Sequence, residues 1–238
     1  MTLADWIKQG LSGEISEDGE YYCCRRGMSD SMREHLGVNN WHPPQEPCPD
    51  EAFAKAFGSY GEKLSNCLVF PYWDPNGNLV LLEMRDMSAK RLFKYAISSE
   101  RHAYFGGIPW MMPYLWAGQT PIVVEGFFDM VALVRVYQGP VLVAGTANLN
   151  HAQEQFLSRW CNTVMLGFDM DKAGRNATTK VSRNLRDAGL KVLELAYTGY
   201  KDPGVVWDQG GQELLNRVFG QVVPVKGMQD GSNAVESW

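Results

Sequence analysis

The amino-acid sequence predicts an α/β protein, with an α+β N-terminal subdomain followed by an α/β subdomain whose mostly parallel sheet lies between helices. Three observations support this prediction. The 238 residues, 45% hydrophobic and 21% charged, are typical of a globular chain with one large core or two small ones. The middle of the chain has a hairpin pattern, and the part beyond Thr120 alternates apolar runs with amphipathic stretches.

The N-terminal half is predicted to be irregular at first and then β-rich. The stretch NNWHPPQEPCPDEAFAKAF indicates a proline-rich connector followed by a short helix. From Cys67, two apolar runs flank Asp74-Pro75-Asn76-Gly77, in which Asn and Gly tolerate the left-handed backbone of a turn. We therefore predict a β-hairpin in this segment.

The C-terminal half is predicted to form a parallel sheet covered by helices. The strand candidates are PIVVEG, VLVAGT, VMLGFD and KVLEL, and the intervening helices are FDMVALVRVYQ, HAQEQFLSRWC and KAGRNATTKVSRNLRDAG. Continuous apolar strands separated by helices are typical of a parallel sheet that is buried on both faces. The predicted units are residues 1–119, residues 120–220 and a flexible tail at 221–238.

The charge balance restricts the classes of partner. The 22 Lys and Arg against 27 Asp and Glu give a net charge of −5, so any nucleic-acid site must be a local basic patch. The N-terminus lacks the basic and apolar regions of a signal peptide, and no apolar run approaches the ~20 residues that span a bilayer. We expect a cytoplasmic protein without membrane contact.

The five cysteines are expected to be reduced thiols. Their number is odd and no CxxC pair occurs, so neither a disulfide framework nor a zinc ribbon is indicated. A mononuclear metal site is the weaker alternative, because vicinal cysteines fit a tetrahedral ion poorly. Its ligands would be Cys23 or Cys24 with His35, His42 and Cys48.

Carboxylates follow two of the predicted parallel strands. Glu125 follows PIVV, and Asp169 and Asp171 follow VMLGF. Because the carboxyl ends of parallel strands emerge at one edge of a sheet, these groups are expected to converge. Clustered carboxylates need raised pKa values or a cation, and their oxygen atoms suit Mg²⁺ or Mn²⁺.

Helix capping is the alternative role for these acids, since several precede predicted helices. Capping is the preferred interpretation of a single aspartate. The combined set favours a functional site, because each acid stands at a strand or loop end. That set is Glu125 with Asp129, Asp169 with Asp171, and Asp202 in Lys201-Asp202-Pro203.

The acidic motifs carry a family resemblance. VVEGFFDMVAL, GFDMDKAGRNAT and YKDPG resemble the signature motifs of the TOPRIM domain in bacterial DnaG-type primases. CCRRGMSDSMREHLGV is similar to the helix that opens that family's RNA-polymerase region, VFPYWDPNGNLVLLEMRD to its hairpin, and FKYAISSE to its segment beside the template channel. The resemblance extends from about residue 20 to residue 208 and implies a core that makes RNA primers on single-stranded DNA during replication.

The resemblance also implies roles for the acids. In nucleotidyl transfer, paired metal ions lower the pKa of the attacking 3′-hydroxyl group and neutralise the leaving phosphates. Asp169 and Asp171 are the principal expected ligands, and Asp129 and Asp202 are expected to bind through water or to hold a second ion. Glu125 completes the predicted catalytic group as a ligand or as a proton-transfer residue, two roles that the sequence does not separate.

Cations near the acidic edge are expected to bind the template and the nucleotide. Segment 84–101 contains five cations and two acids with interleaved aromatic residues, a pattern that suits phosphate binding and base stacking. A solvated strand edge with protective lysines is the alternative. The predicted template-binding residues are Arg85, Lys90, Arg91, Lys94, Tyr95 and Arg101, and the predicted nucleotide-binding residues are Lys172 and Arg175.

The sequence departs from the family pattern in three ways. Gly204 occupies the position of the family's second acid in Asp-Pro-Asp, for which Asp208 is a candidate substitute. The segment after Glu100 is shorter than usual and lacks a lysine, leaving Arg101 or His102 in its place. The third departure is that we expect the chain to have neither the family's zinc-binding module nor its helicase-binding module.

These departures lead us to expect a catalytic core alone, as a phage would encode it for the cytosol of a bacterial host. The expected partners are single-stranded DNA, nucleoside triphosphates and a separately encoded replicative helicase. A TOPRIM nuclease is one alternative, although it would not need the basic segment. A catalytically silent DNA-binding module of a replisome is the other, whereas a topoisomerase would need more residues for a DNA gate.

Overall fold

A computed structural model describes residues 1–58, 67–87, 92–97, 104–195, 197 and 199–219. It contains one antiparallel and one parallel sheet of four strands each, which confirms the predicted α/β class. The elements of the first part are α1 (Leu3–Gly10), α2 (Glu17–Arg25), α3 (Asp30–Leu36), β1 (Asn39–Asn40), α4 (Glu51–Gly58), β2 (Cys67–Trp73), β3 (Leu79–Asp86), β4 (Leu92–Ala96) and α5 (Ile108–Trp116).

The antiparallel sheet has the strand order β1-β2-β3-β4 and contains the predicted hairpin between β2 and β3. The carboxylate of Asp74 accepts hydrogen bonds from the backbone N–H groups of Asn76 and Asn78, at 2.9 and 2.8 Å. Gly77 has a φ of +83°, a left-handed conformation that favours glycine. The predicted connector helix before the hairpin is α4.

The parallel sheet has the strand order β6-β5-β7-β8, and all of its pairings are parallel. Its elements are β5 (Ile122–Val124), α6 (Phe127–Leu133), β6 (Val141–Val143), α7 (His151–Trp160), β7 (Thr163–Gly167), α8 (Lys172–Asp187), β8 (Lys191–Glu194) and α9 (Pro203–Phe219). The four predicted strands and three predicted helices are all present. Helix α9 was not predicted, since Gly210 and Gly211 interrupt its pattern, and its backbone is non-helical at Gly211.

The two sheets meet through backbone and aromatic contacts. Gly106 exchanges two backbone hydrogen bonds with Val143 of β6, at 2.8 and 3.1 Å. The ring of Phe127 lies 4.9 Å from that of Phe70 and 5.1 Å from that of Tyr72, so α6 packs against the hairpin. This packing leaves a cleft between the hairpin and the edge of the parallel sheet where the acids lie.

All five cysteines are free thiols, as the sequence predicts. Cys23 lies in the core, where burial raises the pKa of its thiol to about 12 and so disfavours the thiolate that a metal requires. No helix in the described ranges is long and apolar enough to cross a membrane. The predicted flexible tail, 221–238, lies outside the described residues.

Candidate active site

The acids that follow β5 and β7 lie together at one edge of the parallel sheet. The two strands are neighbours, and Val124 pairs with Gly167 at their ends. The backbone N–H of Asp169 donates a hydrogen bond to Glu125 Oε1 at 3.0 Å. The sheet topology therefore brings together two acids that are 44 residues apart in the sequence, as the strand pattern predicted.

Asp129 lies on α6 and links it to the start of α9. One carboxylate oxygen, Oδ2, accepts from the N–H of Gly126, and the other, Oδ1, accepts from the N–H of Gly204, both at 3.1 Å. The side chain is buried. Burial, followed by the negative charge of Asp202, raises the pKa of Asp129 well above its usual value. Asp129 thus caps α6 and also adds charge to the cluster.

The ammonium group of Lys201 lies among the carboxylates. Its Nζ atom is 2.5 Å from Asp169 Oδ2 and 3.8 Å from an oxygen of each of Asp171 and Asp202. The carbonyl of Lys201 also accepts a hydrogen bond from the N–H of Met170, at 2.7 Å. Lys201 belongs to the motif YKDPG, but no role was predicted for its side chain. Its position directly before Asp202 was the available signal.

The donor atoms at this edge suit a hard divalent cation. Burial raises the pKa of Glu125 and of Asp169, and the Lys201 ammonium group opposes that shift at Asp169. Within the described part of the chain, no three Asp, Glu, His or Cys side chains are arranged to hold one ion. Lys201 Nζ contacts oxygens of Asp169, Asp171 and Asp202 and supplies positive charge to them in this structure.

Asp171 stands slightly apart from the other acids, at the start of α8. Its carboxylate accepts from the N–H of Gly174 at 2.9 Å, and this hydrogen bond lowers the pKa of Asp171. The capping interpretation therefore describes Asp171 in this conformation, although Lys201 also reaches it. A Cβ atom at Gly174 would collide with the carbonyl oxygen of Asp169, so the tight turn into α8 needs glycine.

The cleft beside the acids has a volume of about 520 Å³ and a wall of opposite charge. Its acidic side contains Glu125, Asp129, Asp169 and Asp202, and its basic wall contains Arg26, Arg85 and Lys94. The basic wall comes from α2, β3 and β4 and their connections, whereas the acids come from the parallel sheet. The cleft therefore depends on how the two sheets pack.

Two arginines of the basic wall stack on one aromatic ring. The guanidinium carbon of Arg26 is 4.6 Å from the centroid of Phe128, and that of Arg85 is 5.2 Å from the same centroid. Arg26 also forms an ion pair with Asp208 of α9. For Arg85 we find no hydrogen bond or ion pair with any described residue, and its buried Nε lacks a partner. Arg85 is therefore available to an anion in the cleft.

Lys94 has partners within the protein, which the sequence analysis did not anticipate. Its Nζ atom donates to the carbonyl of Gly145 and lies 3.4 Å from Glu83 Oε2. Glu83 is buried and accepts a hydrogen bond from the hydroxyl of Tyr72 at 2.8 Å. Lys94 thereby joins the antiparallel sheet to the loop that follows β6.

The other predicted cations have different surroundings. Arg175 is exposed and donates to the carbonyl of Met170, so it braces the loop between the acids, and Lys172 is exposed at the start of α8. Tyr95 lies in β4, opposite Leu82 of β3. Four further positions lie outside the described residues: Lys90, Arg91, Arg101 and His102.

Gly204 occupies a crowded position, at which the resembled motif has an acid. A Cβ atom there would lie 3.0 Å from a guanidinium nitrogen of Arg26 and 3.3 Å from Asp129 Oδ1. Asp208, the candidate substitute, is instead paired with Arg26. Glycine at 204 thus lets its own N–H approach and bind Asp129.

Comparisons with known proteins agree with this architecture. Residues 122–206 match the family described as Toprim-like. The DNA primase of Clostridium acetobutylicum is 25% identical over 169 residues, which cover 69% of this chain and 28% of that protein. The chain spans 17–37% of the length of the first curated relatives that it matches, all of them DNA primases.

Solved structures share the fold. The E. coli primase catalytic core superposes with a TM-score of 0.70 at 18% identity, covering 92% of this chain and 77% of that one. A DnaG primase catalytic domain superposes with a TM-score of 0.67 at 19% identity, covering 92% and 78%. The chain has the fold of the DnaG-type primase core, as the family resemblance predicted.

Proposed function

We propose that this chain is the catalytic core of a DNA primase, which synthesises short RNA primers on single-stranded DNA by nucleotidyl transfer. The observation that carries the proposal is the cleft in which buried and half-buried acids at the edge of the parallel sheet face the arginines of the antiparallel half. Nucleotidyl transfer needs both, since acids hold metal ions and cations hold phosphates. The relatives, all DNA primases, support the same reaction.

The acids are proposed to hold Mg²⁺ or Mn²⁺. When bound, such ions lower the pKa of the attacking 3′-hydroxyl group and neutralise charge on the departing pyrophosphate. Asp169 and Asp171 are the proposed principal ligands, with Asp129 and Asp202 as water-mediated or second-ion ligands. Burial raises the pKa values of Asp129 and Asp169, which supports this assignment because a nearby cation would stabilise their ionised forms.

Glu125 has two proposed roles, proton transfer and ligation. Its half-buried carboxylate accepts the N–H of Asp169, and burial raises its pKa. A carboxylate with a raised pKa is the better proton acceptor for a hydroxyl group. Glu125→Gln separates the roles: lost synthesis with unchanged Mn²⁺ affinity identifies proton transfer, and weakened affinity identifies ligation.

Cations on both sides of the acids are proposed to bind phosphates. Arg85 lies over the rings of Phe128 and Tyr22 and has no hydrogen bond or ion pair with any described residue, so its guanidinium group is proposed to bind a template or nucleotide phosphate. Lys172 is exposed at the start of α8 and is proposed to contact the nucleotide. Arg175 braces the acid loop through Met170 and orients it for that contact.

Single-stranded DNA is the proposed template, and nucleoside triphosphates are the proposed substrates. A related DnaG catalytic domain has been solved bound to single-stranded DNA, which supports this choice. A separately encoded replicative helicase is the proposed partner. We propose that these events take place in the cytoplasm of a bacterial cell.

A single incubation tests the proposal. The chain is mixed with single-stranded DNA, the four nucleoside triphosphates and Mg²⁺ or Mn²⁺, and the products are separated on a gel. Short oligoribonucleotides are expected, and they should be absent with Asp169→Asn. Degraded DNA would instead identify a nuclease, and DNA binding without any product would identify a silent replisome module. Either of these two results would overturn the proposal.

A further inference from the structure

Helix α8 concentrates positive charge in an acidic protein. Its 16 residues include five cations and one acid, within a chain whose net charge is −5. These residues are Lys172, Arg175, Lys180, Arg183, Arg186 and Asp187. All six side chains are exposed. The proposed active site uses the first two cations and leaves the rest without a role.

The cations share the side of α8 that faces away from the sheet. The opposite side, Ala177, Val181 and Leu185, is buried against the core. With a rise of about 1.5 Å per residue, the exposed side from Lys172 to Arg183 extends for roughly 16 Å. We call the exposed residues 172–183 the α8 face. It is a continuous basic strip that starts next to the acids of the cleft.

The charges of the α8 face are only loosely paired. Lys180 makes no hydrogen bond or ion pair with any part of the chain that the structure describes. Arg183 lies 3.8 Å from Asp187, in an exposed pair of the kind that contributes little to stability. Their ammonium and guanidinium groups can therefore exchange water or a weak partner for a stronger anion.

The chemistry of the α8 face suits phosphate groups better than bases or lipids. Exposed Asn176 and Thr179 lie between the cations; Asn176 provides a neutral hydrogen-bond donor, whereas the hydroxyl of Thr179 donates to the carbonyl of Arg175 at 3.0 Å. A shallow groove runs along α8, and its single acid, Asp187, lies at the end away from the cleft. The groove is lined by Asn176, Thr179, Lys180, Arg183, Asn184 and Asp187. No aromatic or large aliphatic residue occurs among residues 172–180, and the next one, Val181, is buried. A strip with donors and cations but without exposed apolar groups is typical of a surface that follows a phosphate backbone.

We propose that the α8 face binds the phosphate backbone of a nucleic-acid duplex, namely the hybrid that forms when a primer grows on its template. This inference deepens the proposed primase function and rests on it. A duplex is favoured over a single strand because single strands are held largely by aromatic stacking, which the α8 face cannot supply. The α8 face begins at Lys172, directly after Asp171, so a duplex made at the acids would emerge next to it.

The test compares two ligands in a binding assay that needs no synthesis. The double variant Lys180→Gln with Arg183→Gln is titrated with an RNA–DNA hybrid and with the DNA strand alone, over a series of salt concentrations. We expect hybrid affinity to fall by at least roughly tenfold at 0.1 M salt, and the log–log salt slope to become shallower by about 0.9 per replaced cation. Binding of the DNA strand alone should not change.

The matched control is the double variant Lys55→Gln with Arg217→Gln, which removes two exposed cations from α4 and α9. It should bind the hybrid as the parent does. The inference is overturned if the α8 variant binds the hybrid like the parent, if the control loses as much, or if the single strand loses affinity equally. Because the parent's synthesis is measured separately, a failure of the proposed function remains distinguishable from a failure of this inference.

Discussion

The acidic edge of the parallel sheet and the basic wall of the cleft are built on different principles. At the acidic edge, Glu125 and Asp169 follow adjacent strands, so topology alone places them together. In the basic wall, Arg85 and Lys94 lie within strands, and their surroundings come from other parts of the chain. Charges at strand ends are therefore positioned by the sheet topology, and charges inside strands by the packing of other segments around them.

The two sides also differ in how their charges are compensated. The acidic side has an excess of negative charge, since Asp169, Asp171 and Asp202 share the one ammonium group of Lys201. The negative charge of Asp202 also raises the pKa of buried Asp129, after burial itself. In the basic wall, Lys94 is already paired with Glu83, and Arg85 rests on an aromatic ring. Substitutions on the acidic side should therefore change catalysis most, and substitutions of Lys94 should change stability.

The largest effect is expected from Asp169→Asn. Removing this charge weakens the proposed metal site and should reduce primer synthesis at least a hundredfold, because charge stabilisation by metal supplies several kcal/mol. Initial rates of oligoribonucleotide formation measure the effect. The matched control is Asp187→Asn, an exposed acid at the far end of α8, which should retain the parent rate. Comparable rates for the two variants would remove Asp169 from the metal site.

The next largest effect is expected from Lys94→Met, through stability. The substitution leaves the buried carboxylate of Glu83 without its cation and should lower the free energy of unfolding by about 2 kcal/mol. Adding Glu83→Gln should recover most of that loss, since glutamine still accepts from the Tyr72 hydroxyl. Urea unfolding of the four proteins in this cycle gives the coupling energy.

The same variant tests whether Lys94 also contacts the template. If it only joins the two sheets, the salt dependence of single-stranded DNA binding should equal that of the parent. If it also contacts a phosphate, the log–log slope should become shallower by about 0.7. A parent-like unfolding free energy for Lys94→Met would show that the ion pair with Glu83, its neighbour across β3 and β4, does not stabilise the fold.

Lys94 also illustrates what the sequence could not provide. The strand and helix patterns predicted the parallel sheet and, through it, the meeting of Glu125 with Asp169. Glu83 lies directly across from Lys94 in the β3–β4 register, but Gly145, 51 residues away in the chain, follows no periodic pattern. Likewise, the ion pair between Arg26 and Asp208 joins residues 182 apart, and only the packing of α9 reveals it.

The third prediction concerns pH and the crowded carboxylates. In the folded, metal-free protein, the raised pKa values of Glu125, Asp129 and Asp169 mean that these groups hold protons more tightly than in the unfolded chain. Their contribution to stability therefore decreases as the pH rises from about 4, the unfolded value, through the raised values. Metal-free protein should accordingly lose part of its stability as the pH rises from about 4 towards neutrality.

Asp202→Asn should reduce the loss of stability that the metal-free protein undergoes as the pH rises. Asparagine can still accept the N–H of Val205 and cap α9, but it no longer repels Asp129. At pH 7 and without metal, the variant should gain about 1 kcal/mol of stability, the equivalent of roughly one pKa unit. Excess Mg²⁺ should then stabilise the parent more than the variant. Thermal unfolding in chelator and in Mg²⁺ measures both, and identical pH profiles would contradict the proposed repulsion.

The smallest effect is expected from Arg85→Gln, which separates the two residues of the basic wall. Arg85 has no hydrogen bond or ion pair with the described residues, so the substitution should change the unfolding free energy by less than about 1 kcal/mol, chiefly through lost stacking on Phe128. Its proposed phosphate contact predicts about fivefold weaker binding of single-stranded DNA at 0.1 M salt, with a slope shallower by about 0.7. Arg217→Gln, which replaces an exposed cation of α9, is the control and should bind like the parent.

Lys94→Met and Arg85→Gln would then show opposite profiles, with the first losing stability and the second losing affinity. If Arg85→Gln instead unfolds more easily and binds DNA normally, Arg85 supports the fold and the template contact must come from other cations of the cleft.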